Sequence, residues 1–225
     1  MGSEMCIRDI PRLDLRGDKH RPSFKTYNGG TIKATLPREV LDALKSFGSD
    51  AGISLFMKVL AGVNVLLYKY TGKKDIVLGT SIAGREHPDL ENQIGFYLNS
   101  LALRTTFNAQ DTFEALLKRI KEVTVGAYEH QSYPYDELVE NIPGVRSMTQ
   151  SGLFDVMVDM SESDNAQSNE SSESGGLSSY RGMQPSVGSK HDLSFYFSDR
   201  PEGLDVYVVY NTDVFSKEFV ENIPN

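Results

Sequence analysis

ISLFMKVLAGVNVLLYKY (53–70), KKDIVLGTSIAGR (73–85) and IGFYLNSLALR (94–104) make up the stretch around which the chain is organised. In the first piece Leu55, Phe56, Val59, Leu60, Val63, Leu66, Leu67 and Tyr70 recur at three- and four-residue spacing, while Met57, Ala61 and Val65 fill other faces. That pattern predicts a helix apolar nearly all round, which is stable only when neighbours cover it. Lys58 and Asn64 interrupt it, and it falls short of the ~20 apolar residues that a bilayer span needs. A core helix is therefore expected rather than a membrane anchor. The second and third pieces read as strands rich in Ile, Val, Leu and Phe, ending in Arg85 and Arg104. A buried helix feeding two apolar strands is the centre of an α/β layer.

Composition narrows the function classes. The 225 residues are 39% hydrophobic, enough to build a sizeable core. The formal net charge of −8 argues against a nucleic-acid partner, because a phosphate-binding face gathers Lys and Arg. The densest basic spots, Lys73-Lys74 and KRIK (118–121), read as solvated edges of their elements. Cys6 is the single cysteine, which excludes a disulfide framework and a cysteine metal site. His20, His87, His130 and His191 lie too far apart for a paired-histidine metal spacing. With no secretion signal or membrane span legible, the cytoplasm is the expected compartment.

Working outward toward the start, residues 1–29 are expected to be a non-native or linker segment. MGSEMCIRDI (1–10) lacks periodicity, and MCIRD resembles a translated sequencing-adaptor remnant, with a native frayed terminus as the alternative. Residues 11–30 are polar and rich in Pro and Gly, as a connector is. GTIKATL (30–36) alternates as a strand with one buried face. Pro37 then opens a helix with Val40, Leu41, Leu44 and Phe47 facing inward. Ser54 is the expected N-cap of the buried helix, and Thr71-Gly72 its end.

Toward the other end, AGREHPDLENQ (83–93) reads as a surface connection between the two central strands. Asp111 and Glu114 resemble a capping box for a helix whose inward face is Phe113, Leu116, Leu117, Ile120, Val123 and Ala127. Pro134 interrupts it, and Tyr135 to Ile142 makes a second short helix. SGLFDVMVDM (151–160) alternates imperfectly as a strand. The Ser/Glu/Asn/Gly run that follows cannot bury enough apolar surface to order itself, so a mobile loop is expected at about 161–180. HDLSFYFSD and GLDVYVVYN form a hairpin turned by RPEG, and VFSKEFVENIPN begins a last helix. Its early stop is expected to mark truncation of a domain spanning 30–225.

Nucleophile motifs are weak. Gly79-Thr80-Ser81-Ile82-Ala83 is one glycine short of a G-x-S-x-G elbow and no helix follows it. His130-Gln131 is the most informative polar pair. It falls where a long helix ends, before Tyr133-Pro134-Tyr135, so the reading from the residues is an imidazole at the negative end of the helix dipole. Asn99, inside an apolar strand, must find partners; it either braces a buried backbone or faces a polar channel. Arg104 carries the same ambiguity, and Arg85 is expected to pair with a nearby carboxylate.

DIVLGTSIAGR, IGFYLNSLALR, AYEHQSYPYDELVE and VRSMTQSGLFDVMV together resemble, in order and spacing, the later motifs of the condensation domain of nonribosomal peptide synthetases. The resemblance runs from about Arg21 to the C-terminus and covers the second half of such a domain. It implies an α/β fold, an open sandwich of a mixed sheet packed with helices, forming the C-terminal lobe of a chloramphenicol acetyltransferase-like fold. It also implies amide-bond formation between a donor thioester and an acceptor amine, both carried on the phosphopantetheine of carrier proteins, with no cofactor bound directly. The implied partners are the missing N-terminal lobe, peptidyl or acyl carrier proteins and a neighbouring adenylation domain.

The family's HHxxxDG base motif belongs to the other lobe and has no counterpart here, so no catalytic or metal-binding residue is assigned and the fragment is expected to be inactive alone. Asn99, Arg104, His130, Gln131, Tyr135 and Arg85 carry over as channel or lobe-interface candidates. A segment at 161–190 is the expected crossover to the other lobe. Two departures stand out. The family's Arg-Asp and Ser-Arg-Asn-Pro-Leu run is replaced by Arg146-Ser147 and Thr149-Gln150-Ser151-Gly152-Leu153, and His191 stands where an aromatic residue commonly precedes Asp-Leu. Two alternatives remain: a stand-alone acyltransferase using His130, and a non-catalytic module that docks carrier proteins.

Overall fold

In a computed structural model of the chain, the structure describes residues 13, 15, 17–48, 51–85, 87–90, 92–108, 110–142, 146–147, 150–161 and 188–223. The first ten residues and all but Ser161 of the expected mobile loop lie outside these described residues. So does most of the expected crossover segment.

The described strands are β1 (Gly29–Pro37), β2 (Asp75–Ile82), β3 (Asn99–Thr106), β4 (Arg146–Ser147), β5 (Gln150–Ser151), β6 (Val156–Ser161), β7 (Leu193–Arg200) and β8 (Gly203–Asn211). Six of them form one sheet in the order β1-β8-β7-β6-β2-β3, and β4 and β5 pair separately. β6 runs parallel to both β7 and β2, while the other pairs are antiparallel, so the sheet is mixed. The helices are α1 (Arg38–Ser46), α2 (Leu55–Thr71), α3 (Phe113–Glu129), α4 (Tyr135–Asn141) and α5 (Lys217–Glu221).

The helix α2 forms where its apolar spacing demands. The Ser54 hydroxyl accepts from the Met57 amide at its start, and Gly72, at φ 69°, closes it in the left-handed conformation glycine adopts without strain. Its two polar interruptions are buried rather than exposed, Lys58 being 3% and Asn64 0% accessible. Each finds a backbone carbonyl. Lys58 Nζ donates to Lys45 O at 2.8 Å, placing a cation at the negative end of α1, and Asn64 Nδ2 donates to Leu60 O at 2.9 Å. None of the described helices is long and apolar enough to cross a membrane.

Period-2 alternation gives the sheet two unequal faces. Ile76, Leu78, Leu103, Val156, Leu193 and Val208 point to one face, where they pack with Leu60 and Leu67 of α2 and Leu117 and Ile120 of α3 in the main core. On the other face α4 covers one end only, through Val139, Leu138 and Tyr135 against Val77, Phe154 and Met157. Beyond α4 that face carries polar pairs beside apolar surface: Lys33 pairs with Asp205 at 2.8 Å, the Thr35 hydroxyl donates to Asp205 at 2.6 Å, and the Ser81 amide donates to Asp159 at 2.7 Å.

Four local expectations need correction. Ile94 to Leu98 are not part of a strand, because β3 begins at Asn99. β2 stops at Ile82, short of Arg85, and β3 runs past Arg104 to Thr106. Only Leu41 of the predicted inward face of α1 is buried; Val40 and Phe47 are exposed and, with Leu44 and Phe113, line an open apolar groove. The cap of α3 is Thr112, whose hydroxyl accepts from the Ala115 amide, and Asp111 instead pairs with Arg119 at 2.8 Å.

Gly79 lies in mid-strand, and a Cβ there would sit 2.1 Å from the Phe154 ring. Gly79→Ala must push Phe154 off β2. It is expected to destabilise the fold by about 1–3 kcal/mol, read as a lower urea midpoint; a midpoint equal to that of the unaltered chain would contradict this packing.

Candidate functional site

Asn99 opens β3 and ties it to the turn between α3 and α4. Its Nδ2 donates to Gln131 O at 2.9 Å and Tyr133 O at 2.8 Å, and its Oδ1 accepts from the Ser100 amide at 2.9 Å and the Tyr135 amide at 3.1 Å. All of the side chain's polar capacity is thus spent on backbone. His130 is the C-cap of α3, its amide donating to Ala127 and Tyr128 carbonyls, with an exposed side chain. Gln131 enters the cluster through its carbonyl, its side chain half-buried.

Tyr135 carries the bracing onward. Its hydroxyl accepts from the Leu153 amide at 2.9 Å and its ring lies 5.3 Å from Phe154; burial pushes its phenol pKa up. Phe154 in turn lies 5.4 Å from His191. This aromatic row leads from α4 to a cleft of about 750 Å³ on the uncovered part of the sheet. Ser194 and Tyr196 of β7, Tyr207 of β8, Thr31 of β1 and Ser81 of β2 line the cleft with His191. Burial, then the charge of Lys25, holds the His191 pKa down at about 4, against weaker opposing pull from Asp159 and Asp192. The imidazole is therefore neutral at physiological pH.

Arg104 and Arg85 lie apart from that cleft. Arg104 makes a two-pronged pair with Asp75, Nε to Oδ1 at 3.0 Å and a terminal nitrogen to Oδ2 at 2.7 Å, on a partly exposed diagonal of the β2–β3 ladder. Arg85 binds carbonyls rather than a carboxylate among the described residues. It donates to Leu90 O and Gly95 O and lies 4.4 Å from the centroid of the Tyr97 ring. Gly84, at φ 61°, lets the backbone approach Tyr97 O where a Cβ would stand 1.9 Å away. The loop is thereby pinned at its base while Ile94, Phe96 and Leu98 project outward, 105%, 88% and 58% accessible.

These three exposed apolar residues and the His191 cleft are what the sequence reading missed. Alternating apolar residues before Asn99 imitate a strand; the signal available was Gly95 breaking their run. No group of three or more His, Cys, Asp or Glu side chains able to hold a metal occurs among the described residues.

A family model described as Condensation domain matches residues 4–225. Bacitracin synthase 1 of Bacillus licheniformis is 38% identical over 216 residues, covering 96% of this chain and 4% of that protein. Gramicidin S synthase 2 of Brevibacillus brevis is 36% identical over 215 residues, covering 96% and 5%. The chain thus spans about a twentieth of the length of these curated relatives. Among solved structures, a four-domain nonribosomal peptide synthetase bound to AMP and glycine superposes with a TM-score of 0.78 at 22% identity, over 93% of this chain and 17% of that one. The first condensation domain of the CDA synthetase superposes with a TM-score of 0.71 at 21% identity, over 96% of this chain and 46% of that one. The mixed sheet with its helices is the chloramphenicol acetyltransferase-like fold of these domains.

Two outcomes check this geometry. Asn99→Ala is expected to lower stability by about 1–3 kcal/mol and to speed hydrogen exchange at the Tyr135 amide; unchanged exchange would contradict the brace. His191 has an ordinary pKa of 6.5 in the unfolded chain and about 4 in the fold. Between those values the unfolded chain takes up a proton that the fold refuses, so stability is expected to fall as pH drops through that window. His191→Phe should flatten that part of the pH profile of the urea midpoint.

Proposed function

Because the chain belongs to the condensation-domain family, we propose that it is the C-terminal lobe of an amide-forming domain of a nonribosomal peptide synthetase, completed by a companion lobe. The observation that carries this reading is the pinned loop with Ile94, Phe96 and Leu98 held out in water. An ordered loop that exposes three large apolar side chains fits a surface covered by a partner. The polar, half-covered sheet face fits one wall of a channel whose other wall is the companion lobe.

In the proposed reaction the acceptor amine attacks the carbonyl carbon of the donor thioester. A carbon–nitrogen bond forms, the carbon–sulfur bond breaks, and the carrier thiolate leaves. One proton must leave the nitrogen and one must reach the sulfur. This chain has no adjacent histidines, so the base is assigned to the companion lobe, and this lobe contributes placement of amine and thioester in one channel. Donor and acceptor arrive on the phosphopantetheine of carrier proteins in the cytoplasm, the aminoacyl group having been loaded by a neighbouring adenylation domain. No cofactor is bound directly. Exposed at the end of α3, His130 has no part in the chemistry.

The test is complementation. The chain is mixed with a first-half condensation fragment bearing the paired histidines, and amide product on carrier-bound aminoacyl thioesters is followed by mass spectrometry. Product is expected only with both halves, reduced at least about tenfold in an Ile94→Asp/Phe96→Asp variant and unchanged in His130→Ala. Product from the chain alone, or loss of product in His130→Ala, would overturn the reading.

A further inference from the structure

Two residues lining the sheet-face cleft each carry a buried polar atom without a hydrogen-bond partner among the described residues. Thr31 Oγ1 and His191 Nδ1 are both buried and make no hydrogen bond among the described residues. Buried polar atoms are satisfied in the great majority of native structures, and leaving one unpaired is destabilising. Two in one cleft mark a place where a ligand supplies what the fold does not. The surrounding wall is largely the apolar surface of Tyr27, Met157, Tyr207 and Val209, a lining that suits a neutral ligand with few polar groups. Among the described residues lining it, only Lys190 is formally charged, and it is exposed. A charged group on a ligand would lose its hydration at this wall, and the carboxylates nearby are already engaged, Asp159 by Ser81 and Asp192 by Arg21.

The chemistry of the two atoms narrows the ligand further. A hydroxyl both donates and accepts, whereas a neutral imidazole nitrogen does one or the other according to its tautomer. An amide carries both a donor and an acceptor and so serves either state. Resting on the reading that this face is a channel wall, we propose that His191 is a specificity-determining residue of the cleft, hydrogen-bonding, together with Thr31, an uncharged amide-bearing acyl or peptidyl chain. Its ring packing against Phe154 holds the imidazole in place. A phenylalanine at 191 keeps that packing and removes the nitrogens, which separates recognition from support of the fold.

The 225-residue chain is titrated at pH 7.5 with N-acetylalanine methylamide, a neutral diamide, and in parallel with butylamine, a cation, following the ring resonances of Tyr196, Tyr207 and His191 by NMR. Saturable shifts with the diamide are expected, with no saturable shifts from the amine. His191→Phe should unfold at no lower a temperature than the unaltered chain and bind the diamide about tenfold more weakly, the change one lost hydrogen bond produces. Thr31→Val should weaken it in the same direction. Equal diamide binding by His191→Phe would overturn the role of His191 and leave the channel-wall reading standing. Absence of shifts in the unaltered chain would overturn both the role of His191 and the cleft as a binding wall.

Discussion

A six-stranded sheet presents two faces and both must be dealt with, but the helices among the described residues cover one face and a corner of the other. α2 and α3 close the first face over Leu78, Leu103, Val156 and Val208. On the second, α4 packs with Val77, Leu153, Phe154 and Met157 at one end. The strands under α4 are apolar, and those beyond it alternate to Thr, Ser, Lys, Asp and Tyr, as a surface meeting water or substrate does.

The polar face is held rigid from its ends. Asn99 fixes the α3–α4 turn through four hydrogen bonds, and that turn sets the start of α4. Tyr135 passes the constraint to Leu153 and Phe154, and Phe154 to His191 at the cleft. Residues that the family resemblance places near a channel thus work here through backbone and ring contacts. Arg104, paired with Asp75, strengthens the sheet edge. Of this series, His191 lines the cleft and has a ring nitrogen without a hydrogen bond among the described residues.

Much of the fold was legible because apolar periodicity and cap residues act locally. The limits of α2, with Ser54 and Gly72, follow from side chains within a turn of each end. What was not legible depends on neighbours distant in sequence. Lys58 reads as an interruption of the apolar run until α1 supplies the Lys45 carbonyl. Ile94 to Leu98 alternate like a strand, yet Arg85 and Gly84 hold Tyr97 in a loop. Asn99, Arg104 and His130-Gln131 stand out in the residues themselves, whereas the backbone groups that Asn99 holds come from a turn distant in sequence. His191 was noticed as a departure from an aromatic, but its cleft is assembled from five strands.

Hydrogen exchange of the chain, alone and with a first-half condensation fragment, tests most directly whether this lobe was shaped for a second one. Peptides spanning 92–98 and the cleft-lining strands β1, β7 and β8 should become protected on mixing, while those of α2 and α3, already covered, stay as they were. Unchanged exchange at 92–98, or protection spread evenly over the helices instead, would contradict the account.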